Sequence, residues 1–188
     1  MHRWSWTVIE CCWGAWALLW LVMAFSAKRT VQRSGGVWSW SAALATGAIY
    51  LVLRGSSGTA WDHQLAITPR AVQVLAVALV LSGLAFCAWA RLTLGGNWSG
   101  AVVLKEHHEL VQSGPYALAR HPIYTGMLTM VLGTVLDYPA VVGYVSFAVI
   151  AVVFFFKARR EERLMVEHFP DQYPAYRSRV KALIPYLL

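Results

Sequence analysis

Charge is what this chain has least of. Asp, Glu, Lys and Arg make up 13% of its 188 residues, about half of the roughly 25% usual for a water-soluble domain. So little charge cannot clothe a globular surface, and a soluble single domain is excluded. Cysteine is also scarce: Cys11, Cys12 and Cys87 all sit in apolar runs. With no CxxC pair and no Cys/His spacing suited to zinc, a disulfide scaffold and a zinc module are excluded. The three read as small buried hydrophobes. No small-residue cleavage site follows the first apolar run, so that run is expected to stay as a helix and not be removed as a signal peptide. No internal repeat or low-complexity tract is present.

Apolar and aromatic residues fill the space that charge leaves. Hydrophobic residues are 58% of the chain, with ten Trp and eight Tyr, a composition that fits membrane spans with interfacial aromatic belts. Five apolar runs are expected to cross: Trp4–Ala27, Val37–Leu53, Ala71–Ala90, Pro122–Leu136 and Ala140–Phe156. A span needs about 20 helical residues, and the fourth run is the short one. Asp137-Tyr138-Pro139 turns it tightly into the fifth. Glu10 is the one formal charge inside the first run, beside Trp6 and Trp13. An ionisable residue in a span is a functional candidate by default, and an interfacial, snorkelling Glu is the plainer alternative.

The net charge of +7 is concentrated in the Lys28–Arg33 turn and in the tail from Lys157 to Lys181. Basic residues flanking apolar spans act as positive-inside anchors, which argues against nucleic acid as a partner. Placing the Lys28–Arg33 turn, the polar Arg91–His121 segment and the basic tail in the cytoplasm gathers nearly all the positive charge on one side. The N-terminus is then outside. The expected architecture is all-α and polytopic: residues 1–93 hold the first three spans, and residues 94–188 hold a catalytic region with the last helical hairpin and the tail.

The chemistry concentrates in His107–Gly126. Gly114-Pro115 reads as a turn. Pro122 suits the first position of a helix, and His121 before it is steered away from helical conformation. A helix starting at Pro122 would turn its positive dipole end toward the polar boundary beside Arg120 and His121. Together with unpaired N–H groups this forms an expected anion site, for a carboxylate or phosphate. A second group is Lys157, Arg159, Arg160, Glu161 and Glu162. On a helix Lys157 and Glu161 share a face. The bland reading of this group is a solvated, salt-bridged helix end, and the functional one is a carboxylate for an ammonium beside a cation for an acidic substrate.

His108, Leu110, Val111, Gly114, Pro115, Tyr116, Arg120, His121, Pro122, Tyr124 and Gly126, followed by a hairpin and then Glu161, Glu162, Phe169, Tyr173 and Tyr176, resemble the isoprenylcysteine carboxyl methyltransferase family and its phospholipid-methyltransferase relatives. Leu94–Ser99 also resembles the family's segment after its third span. The likeness covers about Leu94 to Pro185, and the N-terminal half matches in hydropathy alone.

The resemblance implies a multi-span membrane enzyme that binds S-adenosylmethionine at the cytoplasmic face without a Rossmann fold, and no GxGxxG is present. It places the cofactor at His108, Glu109, Leu110, Val111, Gly114, Tyr116, Arg120, His121, Pro122 and Tyr124, with Glu161 or Glu162 for its ammonium and Tyr116 and Leu110 walling the adenine. Lys157 and Glu161 take the catalytic positions, and Lys157, Arg159 and Arg160 face the substrate. Lys157 stands where the family has arginine. It keeps the charge and loses the two-pronged grip on a carboxylate. An anionic acceptor, the carboxylate of an isoprenylcysteine-like molecule or a thiolate, needs no strong base, so alignment and desolvation carry the rate. An amine acceptor would have to give its proton to Glu161 or His121. The expected partners are a lipophilic small molecule and membrane lipids, with no metal and no obligate protein partner. Two rival readings are an NADPH-dependent reductase of the sterol type and a non-enzymatic membrane subunit.

Overall fold

The computed structural model describes residues 4–24, 30–33, 65, 67–95, 103–105 and 110–183. The span expected over Val37–Leu53 lies outside them, as do His108 and Glu109. The described elements are α1 (Trp4–Ala24), β1 (Thr30–Arg33), α2 (Arg70–Leu94), β2 (Val103–Lys105), a 3-10 turn (Gly114–Ala117), α3 (Pro122–Asp137), α4 (Val141–His168) and α5 (Gln172–Arg179). Helix dominates, as expected. The one addition is a two-stranded antiparallel ribbon in which Thr30 faces Lys105 and Arg33 faces Val103. Thr30–Arg33 lies in the basic turn, and Val103–Lys105 ends an apolar stretch too short to announce a strand.

Three helices, α1, α2 and α4, are long and apolar enough to cross a membrane. The protein is read as integral to a membrane. Helix α3, with 16 residues, measures roughly 24 Å at about 1.5 Å per residue, short for a span. Its limits follow from proline at both ends. Pro122 occupies the first turn, after His121 at φ −123° and ψ 60°, and Pro139 follows the C-terminal cap.

Small residues let α2 and α3 pack backbone to backbone. A Cβ at Gly83 would lie 2.6 Å from the Gly126 carbonyl, and one at Gly133 would lie 2.6 Å from the Ala76 carbonyl. Apolar solvent gives helices no hydrophobic reason to associate, so such close approach and its dispersion contacts carry the interface. Helix α1 packs through Ile9 and Cys12 against Val77, Val80 and Met130, and Trp13 donates its indole N–H to Thr134 at 3.1 Å. Cys12 and Cys87 are buried as expected, whereas Cys11 is exposed on the outer face of α1. Glu10 accepts the indole N–H of Trp6 at 3.0 Å.

The two ends of the bundle are fixed by named contacts. At one end, buried Arg91 donates to the carbonyls of Met23 and Gly95, both at 2.7 Å. The C-terminal ends of α1 and α2 therefore lie at the same level. At the other end, the Leu65 amide donates to Pro139 at 2.8 Å and the Thr68 hydroxyl to the Asp137 carbonyl at 2.9 Å. Helices α3 and α4 share a core of Tyr124, Val131, Val135, Ile150 and Phe154. Beyond Phe156 the α4 helix continues unbroken through the charged stretch to His168.

Candidate functional site

The site forms where the start of α3 meets the charged end of α4. Gly114 has φ +59°, and a Cβ there would be 3.4 Å from both Trp89 and Thr93. Glycine lets the loop enter the left-handed region and lie against the end of α2. The 3-10 turn then carries buried Pro115 and Tyr116 to Arg120 and His121, and Pro122 starts the helix.

Arg120 and Glu162 form a buried pair. The Arg120 Nε and Nη2 both donate to Glu162 Oε1, at 2.9 and 2.6 Å, with side-chain exposures of 8% and 5%. The remaining Arg120 arm donates to the Arg177 carbonyl at 3.2 Å and to the Val180 carbonyl. The backbone follows the same route: the Arg120 amide donates to Lys181 at 2.8 Å and the His121 amide to Ala182 at 2.9 Å. The Thr125 hydroxyl reaches the Leu183 carbonyl. The returning tail thus takes the two amides before the helix, while the Tyr124 and Thr125 amides in its first turn donate to the His121 carbonyl at 3.0 and 3.1 Å. Arg120 acts here as the pin that joins α4 to the tail.

Glu161 has a different setting. It is 22% exposed and accepts the Tyr124 hydroxyl at 2.7 Å. His121 Nδ1 lies 3.4 Å from it, and His121 Nε2 lies 3.4 Å from Glu162. Burial pushes the His121 ring below its ordinary value, but contact with both carboxylates outweighs that, and its pKa is raised. The rings of His121 and Tyr124 are parallel at 5.4 Å, and Tyr124 stacks on Phe154 at 4.7 Å. Lys157 lies with its ammonium 5.4 Å from the centre of the Tyr124 ring. Hence the sequence-predicted Arg120, His121, Tyr124, Lys157, Glu161 and Glu162 converge.

The other predicted residues stand further out. Arg159 sits over the exposed Phe155 ring at 5.0 Å, away from this cluster, and Arg160 is half-buried. Leu110 and Val111 are half-buried. Tyr116 is buried, and its carbonyl accepts the Tyr176 hydroxyl at 2.6 Å. That contact seats α5 on the 3-10 turn, and burial pushes the Tyr176 hydroxyl up to about 12. Sequence reasoning missed Arg177, which lies 3.6 Å from Glu162, and the carbonyls of the tail. A backbone acceptor has no residue signature, so no pattern could have shown the tail.

Chemically, the arrangement offers one accessible carboxylate, oriented by a phenol and an imidazole, at the polar edge of an apolar helix pair. An ammonium group fits it by charge and by hydrogen bonding. Fold and site together define a helical membrane protein with a buried acid–base cluster at one end of its bundle. The profile of the isoprenylcysteine carboxyl methyltransferase (ICMT) family matches residues 74–167, half of the 188-residue chain. The chain belongs to that family.

Among similar proteins, protein-S-isoprenylcysteine O-methyltransferase B of Arabidopsis thaliana is 33% identical over 103 residues, covering 52% of this chain and 51% of the relative. The protein-S-isoprenylcysteine O-methyltransferase of Saccharomyces cerevisiae is 32% identical over 117 residues, covering 61% and 49%. The human protein of that name is 30% identical over 119 residues, covering 62% and 42%. The chain thus spans about half the length of the relatives it matches. The matched block contains all of α3, α4 as far as Glu167, and both glutamates.

Proposed function

We propose that this protein is a membrane-embedded methyltransferase that uses S-adenosylmethionine and methylates a lipophilic acceptor, a carboxylate of the isoprenylcysteine kind. The observation that carries the reading is Glu161, a partly open carboxylate held by Tyr124 and His121 at the level where α4 passes from apolar to charged. The cofactor supplies a methyl group activated by a sulfonium. Glu161 binds its ammonium. Tyr124 orients Glu161 by a hydrogen bond, and Arg120 with Glu162 holds the tail closed against the corner. His108, Glu109, Leu110 and Val111 belong to the same site by family resemblance.

Lys157 is one helical turn nearer the apolar half of α4 than Glu161. There its ammonium draws an anionic acceptor head to the boundary while the acceptor's tail stays among lipid. The reacting oxygen is already charged, so positioning and exclusion of water by Tyr124 and Phe154 supply the rate.

The proposal includes five spans with the site in the cytoplasm and the N-terminus outside. Residues 30–33 pair with the segment after α2, whereas residues 65 and 68 bond at the opposite end. The described residues on either side of the second expected span thus lie at opposite ends of the bundle, which supports a crossing there. The test is transfer of labelled methyl from S-adenosylmethionine to a farnesylated cysteine in membranes holding the full chain. Label in the base-labile ester fraction is expected. Stabilisation of the purified protein by NADPH and none by S-adenosylhomocysteine would overturn the reading.

A further inference from the structure

We propose that His121 is a positioning residue, held as an imidazolium between Glu161 and Glu162 until ligand binds, and that a ligand ammonium arriving at Glu161 drives a proton off it. The ammonium belongs to the cofactor of the proposed function, so the second half of the inference rests on that reading.

The geometry sets the charge state. Each ring nitrogen faces a different carboxylate at the same distance of 3.4 Å. A neutral imidazole has one N–H and one lone pair. One of its two nitrogens would then set a lone pair against a carboxylate oxygen, whereas an imidazolium offers a proton to both. The Nε2 atom is buried with no aligned hydrogen-bond acceptor, so its contact with Glu162 is one of charge. The stack on Tyr124 keeps the ring from turning away.

The groups around the ring are buried Glu162 and half-buried Glu161 on α4, with Arg120 from the loop beside Glu162. Lys157 faces the cluster from the α4 rim over Tyr124. Arg177 faces it from α5, is 48% exposed and is screened by solvent. Tyr124 from α3 and Tyr173 from α5 add hydroxyls and no charge. Arg120 is engaged with Glu162 and the tail carbonyls, so the cations beside Glu161 are His121, at 3.4 Å, and Lys157, one helical turn away. A ligand ammonium at Glu161 then crowds the charge of the Nδ1–H, and of these cations the ring is the one that can give up a proton near neutrality. His121 keeps its Nε2–H toward Glu162, so the Arg120 pin stays in place.

The proposal is tested in two stages on the full chain in detergent. First, the His121 ring is followed by carbon–proton NMR without ligand, assigned by His121→Gln. A protonated ring at about pH 7 is expected, with its titration moved downward in Glu161→Gln, which removes one of its carboxylates. A neutral wild-type ring at that pH overturns the inference whatever the ligand does. Second, S-adenosylhomocysteine is titrated calorimetrically in two buffers of different ionisation enthalpy. Release of about one proton per ligand is expected at a pH below the ring's value, with affinity rising up to about tenfold per pH unit there. Binding with equal heats in both buffers overturns the coupling. Absence of any binding beside a protonated ring overturns the proposed function and the coupling built on it, and leaves the bridging role standing. Should His121→Gln not fold, Glu161→Gln provides the assignment, since its ring alone is the one displaced.

Discussion

Replacing Arg120 by alanine isolates the contribution of the pin between α4 and the tail. The change leaves Glu162, 5% exposed, without its forked partner. Loss of one member of a buried pair costs about 3–5 kcal/mol. Arg177 at 3.6 Å and His121 at 3.4 Å remain beside Glu162, so the lower figure of about 3 kcal/mol applies, and about 1.4 kcal/mol is a factor of ten. The tail should therefore detach roughly a hundred times more often. The His121 amide reports this directly, because it donates to Ala182 in the docked tail at 2.9 Å. Its hydrogen exchange should speed up by about two orders of magnitude in Arg120→Ala, while amides around Val80 in the middle of α2 keep their rates. Arg120→Lys should fall between, since lysine keeps the charge and loses the fork. Combining Arg120→Ala with Glu162→Gln should cost much less than the sum of the two alone. Exchange of the His121 amide within threefold of wild type in Arg120→Ala would refute the reasoning.

Further predictions follow from the same geometry. Glu161→Gln should weaken S-adenosylhomocysteine binding by about 10- to 100-fold, the value of a charge-assisted hydrogen bond of roughly 1.5–3 kcal/mol, with the thermal transition little changed; calorimetry checks both. Gly126→Ala should destabilise by about 1–3 kcal/mol, as overpacking does, because the new Cβ would fall 2.6 Å from the Cys87 sulfur and 2.7 Å from the Gly83 carbonyl. Adding Cys87→Ala should not rescue it, since the carbonyl contact remains. The raised His121 pKa gives stability that is complete below the unfolded value of about 6.5. It fades as pH climbs through the higher folded value. Tail opening, read by exchange corrected for intrinsic rate, should therefore be more frequent at about pH 9 than at pH 6, and the reverse order would contradict the assignment.

Much of this was legible beforehand where the chain breaks its own pattern. Pro122 and the Asp137-Tyr138-Pro139 turn bracket α3 because proline lacks an N–H and restricts the residue before it. The charged stretch after Phe156 marks the end of the apolar half of α4, and Tyr124 and Glu161 were expected together. The division between the two glutamates was not legible. They are adjacent and chemically identical, and only the turn of the helix aims Glu162 at Arg120 and leaves Glu161 open. Nor was the role of Arg91 visible, since an arginine closing an apolar run looks like a membrane anchor until its acceptors at Met23 and Gly95 are seen. Helix α5 was obscured by Pro174, which falls in the first turn of Gln172–Arg179, where its missing N–H costs nothing.

Because α4 runs without interruption from Val141 to His168, it works as a ruler. Its apolar half is the part long and apolar enough to cross a membrane, and its other half carries Glu161 at a fixed distance along the same rod. One alanine inserted after Phe156 would lift Glu161 by about 1.5 Å and swing it by about 100°, away from Tyr124, without altering the composition of either half. The depth of the apolar half and the seating of Glu161 against Tyr124 are in this way tied to a single helical register.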